Sequence, residues 1–138
     1  LFRISAEGEC LTTVPTIAII DDDESIRIGL HFLVTSLGYN VHAFASAADF
    51  LQSAELQNAF CVITDVRMPV MSGIQLQAHL RSKGSKVPFI FITAVPEEST
   101  RRQAFNDGAI GFLNKPLDDQ ALIACLDKAM QQALGKKP

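Results

Sequence analysis

The chain has no concentration of positive charge. Twelve Lys and Arg stand against 15 Asp and Glu, a formal charge of −3, and no block of five basic residues occurs. A nucleic-acid-binding surface is therefore not encoded here, and any DNA contact must lie elsewhere. Long apolar runs are missing as well. Stretches such as Ile17-Ala18-Ile19-Ile20 and Phe89-Ile90-Phe91-Ile92 fall far short of the roughly 18 residues of a membrane span. The N-terminus lacks the basic start and apolar run of a secretory signal, so a cytoplasmic location is expected. Cys10, Cys61 and Cys125 are odd in number and far apart, with no C-x-x-C or Cys/His spacing. That excludes a disulfide framework and a zinc site and leaves them as packing residues. His31, His42 and His79 share no ligand spacing either, and read as structural or surface residues.

What is present is an alternation. From Thr16 onward five short apolar runs alternate with longer amphipathic ones, which predicts an α/β fold with a parallel sheet covered by helices on both faces. No solenoid-type repeat occurs, because the connections differ in length and composition. Strands are expected over 16–20, 41–44, 60–64, 88–92 and 109–113. In the first helix, 24–37, Ile26, Leu30, Leu33, Val34 and Leu37 form one face, and Gly38 stops it. Ser46 caps a second helix that buries Phe50 and Leu51 and ends near Glu55. A third ends at about Ser82, closed by Gly84. The fourth, about 98–107, carries only Ala104 and Phe105 as apolar residues in its body, a thin packing stripe. The fifth presents Leu122, Ile123, Leu126, Ala129, Met130 and Ala133. Residues 1–14 read as an N-terminal tail or cloning remnant, 15–134 as one domain, and 135–138 as the start of a linker.

The unusual polar residues all fall at carboxyl ends of these strands. Asp21 and Asp22 follow the first, Asp65 the third, Thr93 the fourth and Lys115 the fifth. In an open α/β sheet those ends form one rim, where ligands bind. Three carboxylates there would raise one another's pKa unless a cation lay among them. An all-oxygen set without His or Cys favours Mg²⁺ over zinc. Lys115 and the Thr93 hydroxyl suit the oxygens of a phosphoryl group. No G-x-x-x-x-G-K-[ST] loop is present to cradle a nucleotide. The acceptor is then a side chain or water, with Asp65 the central candidate. Asp23 and Glu24 are ordinary partners of a helix dipole, and Arg101-Arg102 an ordinary solvated helix face.

Four segments in order, Ile19-Ile20-Asp21-Asp22-Asp23, Ile63-Thr64-Asp65-Val66-Arg67-Met68-Pro69, Ile92-Thr93-Ala94 and Asn114-Lys115-Pro116, resemble the receiver domains of two-component response regulators. Residues 23–27 and 44–51 look most like the group with LuxR-type helix-turn-helix output. The resemblance implies a flavodoxin-like, doubly wound five-stranded sheet of order 2-1-3-4-5 with five helices. It implies that Asp65 is the phosphoacceptor, taking its phosphoryl group from a phosphohistidine of a sensor histidine kinase. Asp22, Asp65 and the backbone carbonyl of Arg67 would hold Mg²⁺, with Asp21 acting through water. Lys115 and Thr93 would bind phosphoryl oxygens, and Ala94 would leave room for them. Thr93 and Phe112 would form the switch, Phe112 by packing alone because it lacks a hydroxyl. A cis Lys115-Pro116 bond is also implied, as are a homodimer on phosphorylation and an output, DNA-binding domain outside this chain. Such a domain is a phosphoacceptor switch rather than a turnover enzyme. A haloacid-dehalogenase-type phosphohydrolase would need a second acid two residues beyond the nucleophile, where Arg67 stands. A phosphorylation-independent interaction module would have no use for the complete rim set.

Overall fold

The computed structural model describes residues 14–135, so Cys10, almost all of the expected N-terminal tail and residues 136–138 lie outside the described part. Strand β1 (Thr16–Ile20) leads to α1 (Glu24–Ser36), β2 (Asn40–Phe44), α2 (Ala47–Leu51), α3 (Glu55–Asn58) and β3 (Ala59–Asp65). Helix α4 (Gly73–Ser82), β4 (Phe89–Thr93), α5 (Glu98–Asn106), β5 (Ala109–Asn114) and α6 (Asp119–Gly135) follow. All strand pairs are parallel, and the order β2-β1-β3-β4-β5 is the expected one.

Side chains alternate across each strand, which splits the core into two layers. Ile17, Ile19, Cys61, Ile63, Ile90 and Ile92 pack with Leu30 and Val34 of α1 and with Leu122 and Leu126 of α6. Ala18, Ile20, Val62, Phe89 and Phe91 face the other way, onto Phe50, Leu76, Leu80 and Ala104 of α2, α4 and α5. Three strands are buried along nearly their whole length, so their sequences read as continuous apolar runs. Gly38 and Gly84 sit at φ 103° and 89°, the left-handed conformation expected just beyond α1 and α4. Burial pushes the Cys61 thiol pKa up, as befits a packing residue.

One expected helix is two. The second helix does not run to Glu55: α2 stops at Leu51 and α3 is a single turn, giving six helices among the described residues where five were expected. Ser53 causes the break. Its hydroxyl donates to the Phe50 carbonyl (2.8 Å) and accepts from the Glu55 amide (3.2 Å), closing one helix and opening the next. In α5 the stripe is thinner than expected, since only Ala104 is buried and Phe105 is 39% exposed beneath the Arg101 guanidinium.

Gly111 in β5 shows how tightly α6 lies on the sheet: a Cβ there would run into the Cys125 sulfur. Gly111→Ala should cost about 1–3 kcal/mol through overpacking. In a Cys125→Ala chain, where the sulfur is gone, the same change should cost about 1 kcal/mol or less, an antagonistic pair measurable by urea unfolding. Equal costs in both backgrounds would show that the helix, rather than the sulfur, sets the spacing.

Candidate functional site

The strand order reverses between β1 and β3, and the crevice of an open α/β sheet forms at such a reversal. Register carries each rim residue there. Ile20 pairs with Thr64, Asp65 with Ile92, and Thr93 with Asn114, so Asp21, Asp65, Thr93 and Lys115 stand side by side at the strand ends. Asp65 is the last residue of β3 rather than the first of a loop. Its carbonyl accepts the Thr64 hydroxyl (3.0 Å). Gly73 starts α4 directly beneath, where any Cβ would strike that same carbonyl, so only glycine lets the helix approach β3 this closely.

One Asp65 oxygen, Oδ1, accepts the Arg67 amide at 3.3 Å, and Oδ2 accepts Lys115 Nζ at 3.1 Å. Lys115 Nζ also lies 3.3 Å from Asp21 Oδ2, so a single ammonium bridges two largely buried carboxylates. Its own amide donates to the Thr93 carbonyl (2.9 Å), which fixes the chain before the cis Lys115-Pro116 bond. Asp21 Oδ1 accepts the Asp23 amide (2.9 Å), whereas the buried Oδ2 has the ammonium nearby but no hydrogen bond of good geometry. Asp23 caps α1 by accepting the Ser25 and Ile26 amides, the ordinary role read for it.

Thr93 is fully buried, and its hydroxyl is engaged by the Val95 amide (3.1 Å) rather than turned onto Asp65. Phe112 lies half-buried, its ring tilted at 6.2 Å from Phe91. Arg67 meets Asp65 through its amide, while its guanidinium pairs with Glu97 (3.0 Å). His42 pairs with Glu55, and Arg101 and Arg102 both approach Glu98, the solvated face expected. Reading the sequence did not single out Arg27, which donates to the Asp21 carbonyl (2.8 Å), Glu97, or the Gln77–Arg81 pair that grips the end of α5. In the sequence Arg27 figures only as the end of the 23–27 segment, with no contact assigned to it.

Electrostatics at the rim are set by burial and proximity. At Asp21 burial and the Asp65 charge raise the pKa, outweighing the Asp23 amide and Lys115. Burial pulls the Lys115 ammonium down, but the hydrogen bond to Asp65 and the two carboxylate charges push it above its ordinary value overall. For Asp21 the folded chain holds a proton that the unfolded chain has released above its ordinary 3.8. That group's contribution is thus present at low pH and lost as pH rises through the raised value. Asp21→Asn, which removes the buried charge, should raise the thermal midpoint of the metal-free protein at pH 7 by about 3 °C. The gain should vanish on acidification; a midpoint lowered at both pH values would refute it.

Asp21, Asp22 and Asp65 each bring a carboxylate oxygen within 4.8 Å of the others. This all-oxygen set, with a buried oxygen at Asp21 lacking a hydrogen bond, fits a small hard divalent cation. No helix among the described residues is long and apolar enough to cross a membrane.

The sequence matches the response regulator receiver domain family over residues 17–127. The transcriptional regulatory protein TdiR of Thauera aromatica is 38% identical over 115 residues, covering 83% of this chain and 51% of that protein. The transcriptional regulatory protein FixJ of Bradyrhizobium diazoefficiens is 36% identical over 123 residues, 89% of this chain and 60% of that one. The chain thus spans about half to three fifths of these relatives. Among solved structures, full-length FixJ from B. japonicum superposes with a TM-score of 0.77 at 37% identity, covering 88% of this chain and 60% of that one. The response regulator StyR gives 0.75 at 39%, with 86% and 60% covered. The response regulator protein TodT of Pseudomonas putida is 36% identical over 117 residues, covering 85% of this chain and 52% of that protein. With the family pattern running through β1 to α6 and the same fold in its relatives, this chain belongs to the response regulator receiver domains.

Proposed function

We propose that the chain accepts a phosphoryl group on Asp65 from the phosphohistidine of a sensor histidine kinase and passes the change on as a signalling switch, not as a turnover enzyme. The observation that carries this is the placement of Asp65 at the β1/β3 reversal, with the Lys115 ammonium on one oxygen and the Asp21–Asp22 carboxylates beside it. A carboxylate oxygen of Asp65 attacks phosphorus in line as the P–N bond breaks and its electron pair returns to the kinase imidazole, leaving an acyl phosphate. Lys115, freed from Asp65 Oδ2, then pairs with a phosphoryl oxygen. Thr93 exchanges its Val95 partner for another oxygen, and Phe112 repacks into the space opened. Asp22, Asp65 and the Arg67 carbonyl would hold Mg²⁺, with Asp21 acting through water. When bound, the ion neutralises charge that builds on the phosphoryl oxygens.

The surface of α5, β5 and α6 is the output of this reading, because α5 buries only Ala104 and so is marginally held. Repacking there would drive homodimerisation or act on an output domain of transcriptional type, since the relatives are named as transcriptional regulators. A cytoplasmic location, where such kinases transfer phosphoryl groups, and no direct nucleic-acid or membrane contact by this domain, belong to the same reading. Intact mass after incubation with acetyl phosphate and Mg²⁺ tests the chemistry, and size-exclusion chromatography with beryllofluoride tests the output. Absence of labelling by acetyl phosphate and by histidine kinases alike would leave only an interaction module.

A further inference from the structure

We propose that the Arg67 guanidinium is a partner-exchanging latch: paired with Glu97 in the resting chain, it moves to the phosphoryl oxygens on Asp65 and thereby releases the N-terminus of α5. The inference rests on Asp65 being the phosphoacceptor. Among the described residues, Arg67 touches the acceptor carboxylate with its backbone and the α5 N-cap residue Glu97 with its side chain, at 3.3 Å and 3.0 Å.

Glu97 is the N-cap residue of α5, yet its side chain caps nothing. Its carboxylate is instead occupied by Arg67 and, more loosely, by the Thr100 hydroxyl (3.4 Å). The far end of the helix is pinned. Gln77, fully buried, donates from Nε2 to the Ala104 and Asp107 carbonyls (3.2 and 3.3 Å), and Arg81 Nε donates to the Asp107 carbonyl (2.7 Å). Helix α5 is thus fastened at its C-terminus by buried and partly buried hydrogen bonds and tethered at its N-terminus by an ion pair whose side chains are 58% and 52% exposed. Arg67 and Glu97 themselves line a cleft of about 530 Å³, together with Val66, Met68, Ile74 and Gln103.

Chemistry favours the exchange. An exposed guanidinium–carboxylate pair such as this is weak and screened by salt. A phosphoryl group brings about two negative charges and three acceptor oxygens, and guanidinium matches that geometry bidentately. Glu97 and the phosphoryl group therefore compete for one cation only two residues from the acceptor.

A double-mutant cycle over Arg67→Ala and Glu97→Gln, read as affinity for beryllofluoride in the presence of Mg²⁺, tests this. Glu97→Gln frees the guanidinium and should tighten binding about two- to fivefold, the size of an exposed pair. Arg67→Ala should weaken it by a similar factor, and adding Glu97→Gln to Arg67→Ala should change nothing further. In the metal-free Glu97→Gln chain, backbone amide NMR signals of residues 98–100 should shift toward their beryllofluoride-bound positions. Additive effects in the cycle, or unmoved amides, would overturn the latch while leaving the phosphoacceptor intact. A wild-type chain that binds no beryllofluoride would sink the phosphoacceptor and the latch together.

Discussion

Asp65→Asn should abolish the Mg²⁺-dependent gain of one phosphoryl group from acetyl phosphate, with uptake falling at least about a thousandfold. A carboxamide keeps the shape of the side chain but gives up the anionic oxygen that, in the proposed function, attacks phosphorus. Asp21 is buried with one oxygen held by the Asp23 amide and the other against Lys115, while Asp22 is exposed. The loss would not come from unfolding. Lys115 retains Asp21 as a partner, and removing the Asp65 charge takes away one of the causes that raise the Asp21 pKa. The metal-free variant should therefore melt no lower than the wild type at pH 7. Intact mass settles the point: label that survives Asp65→Asn at the wild-type rate would mean that the rim is assembled for something other than transfer to Asp65.

The parts of this site that could be read from the sequence are those fixed by position along a strand. A short apolar run followed by Asp, Asp, Thr or Lys sets a residue at a strand end, and parallel order then gathers the ends on one rim. Side-chain direction is another matter. Thr93 is where the strand pattern puts it, but its hydroxyl turns to Val95, a choice made by the loop geometry two residues on. Arg67 and Glu97 lie thirty residues apart in sequence, and neither periodicity nor a local pattern joins two exposed charges across such a distance. Gln77 stands on α4 where a helical stripe calls for an apolar residue, and its burial makes sense only once the α5 carbonyls are seen above it. The split between α2 and α3 was invisible for the opposite reason. It is wholly local, one Ser53 hydroxyl serving two helices in a segment whose composition suits one. Phe105 shows the limit of apolar counting, since its ring lies outside the core under Arg101.

The largest stability effect should come from Lys115→Ala. The ion pairs that Asp21 and Asp65 make among the described residues are both with this ammonium, which is 18% exposed between carboxylates that are 1% and 10% exposed. Without it, two nearly buried anions face each other, and stripping one partner from such an arrangement costs about 3 kcal/mol, or roughly 10 °C in thermal midpoint. The backbone is not the cause, because the Lys115 amide keeps its bond to the Thr93 carbonyl whatever side chain follows. Two dependences separate this account from simple loss of packing. With the cation gone, the buried Asp21 carboxyl loses a cause that lowers its pKa and holds its proton more tightly still, so the deficit should shrink on acidification and widen as pH rises. A divalent cation offers the missing positive charge by another route, so added Mg²⁺ should raise the variant's midpoint more than the wild type's, even as phosphoryl uptake stays impaired. A Lys115→Ala chain as stable as the wild type, and indifferent to both pH and Mg²⁺, would mean that the carboxylates at the strand ends do not share one electrostatic site.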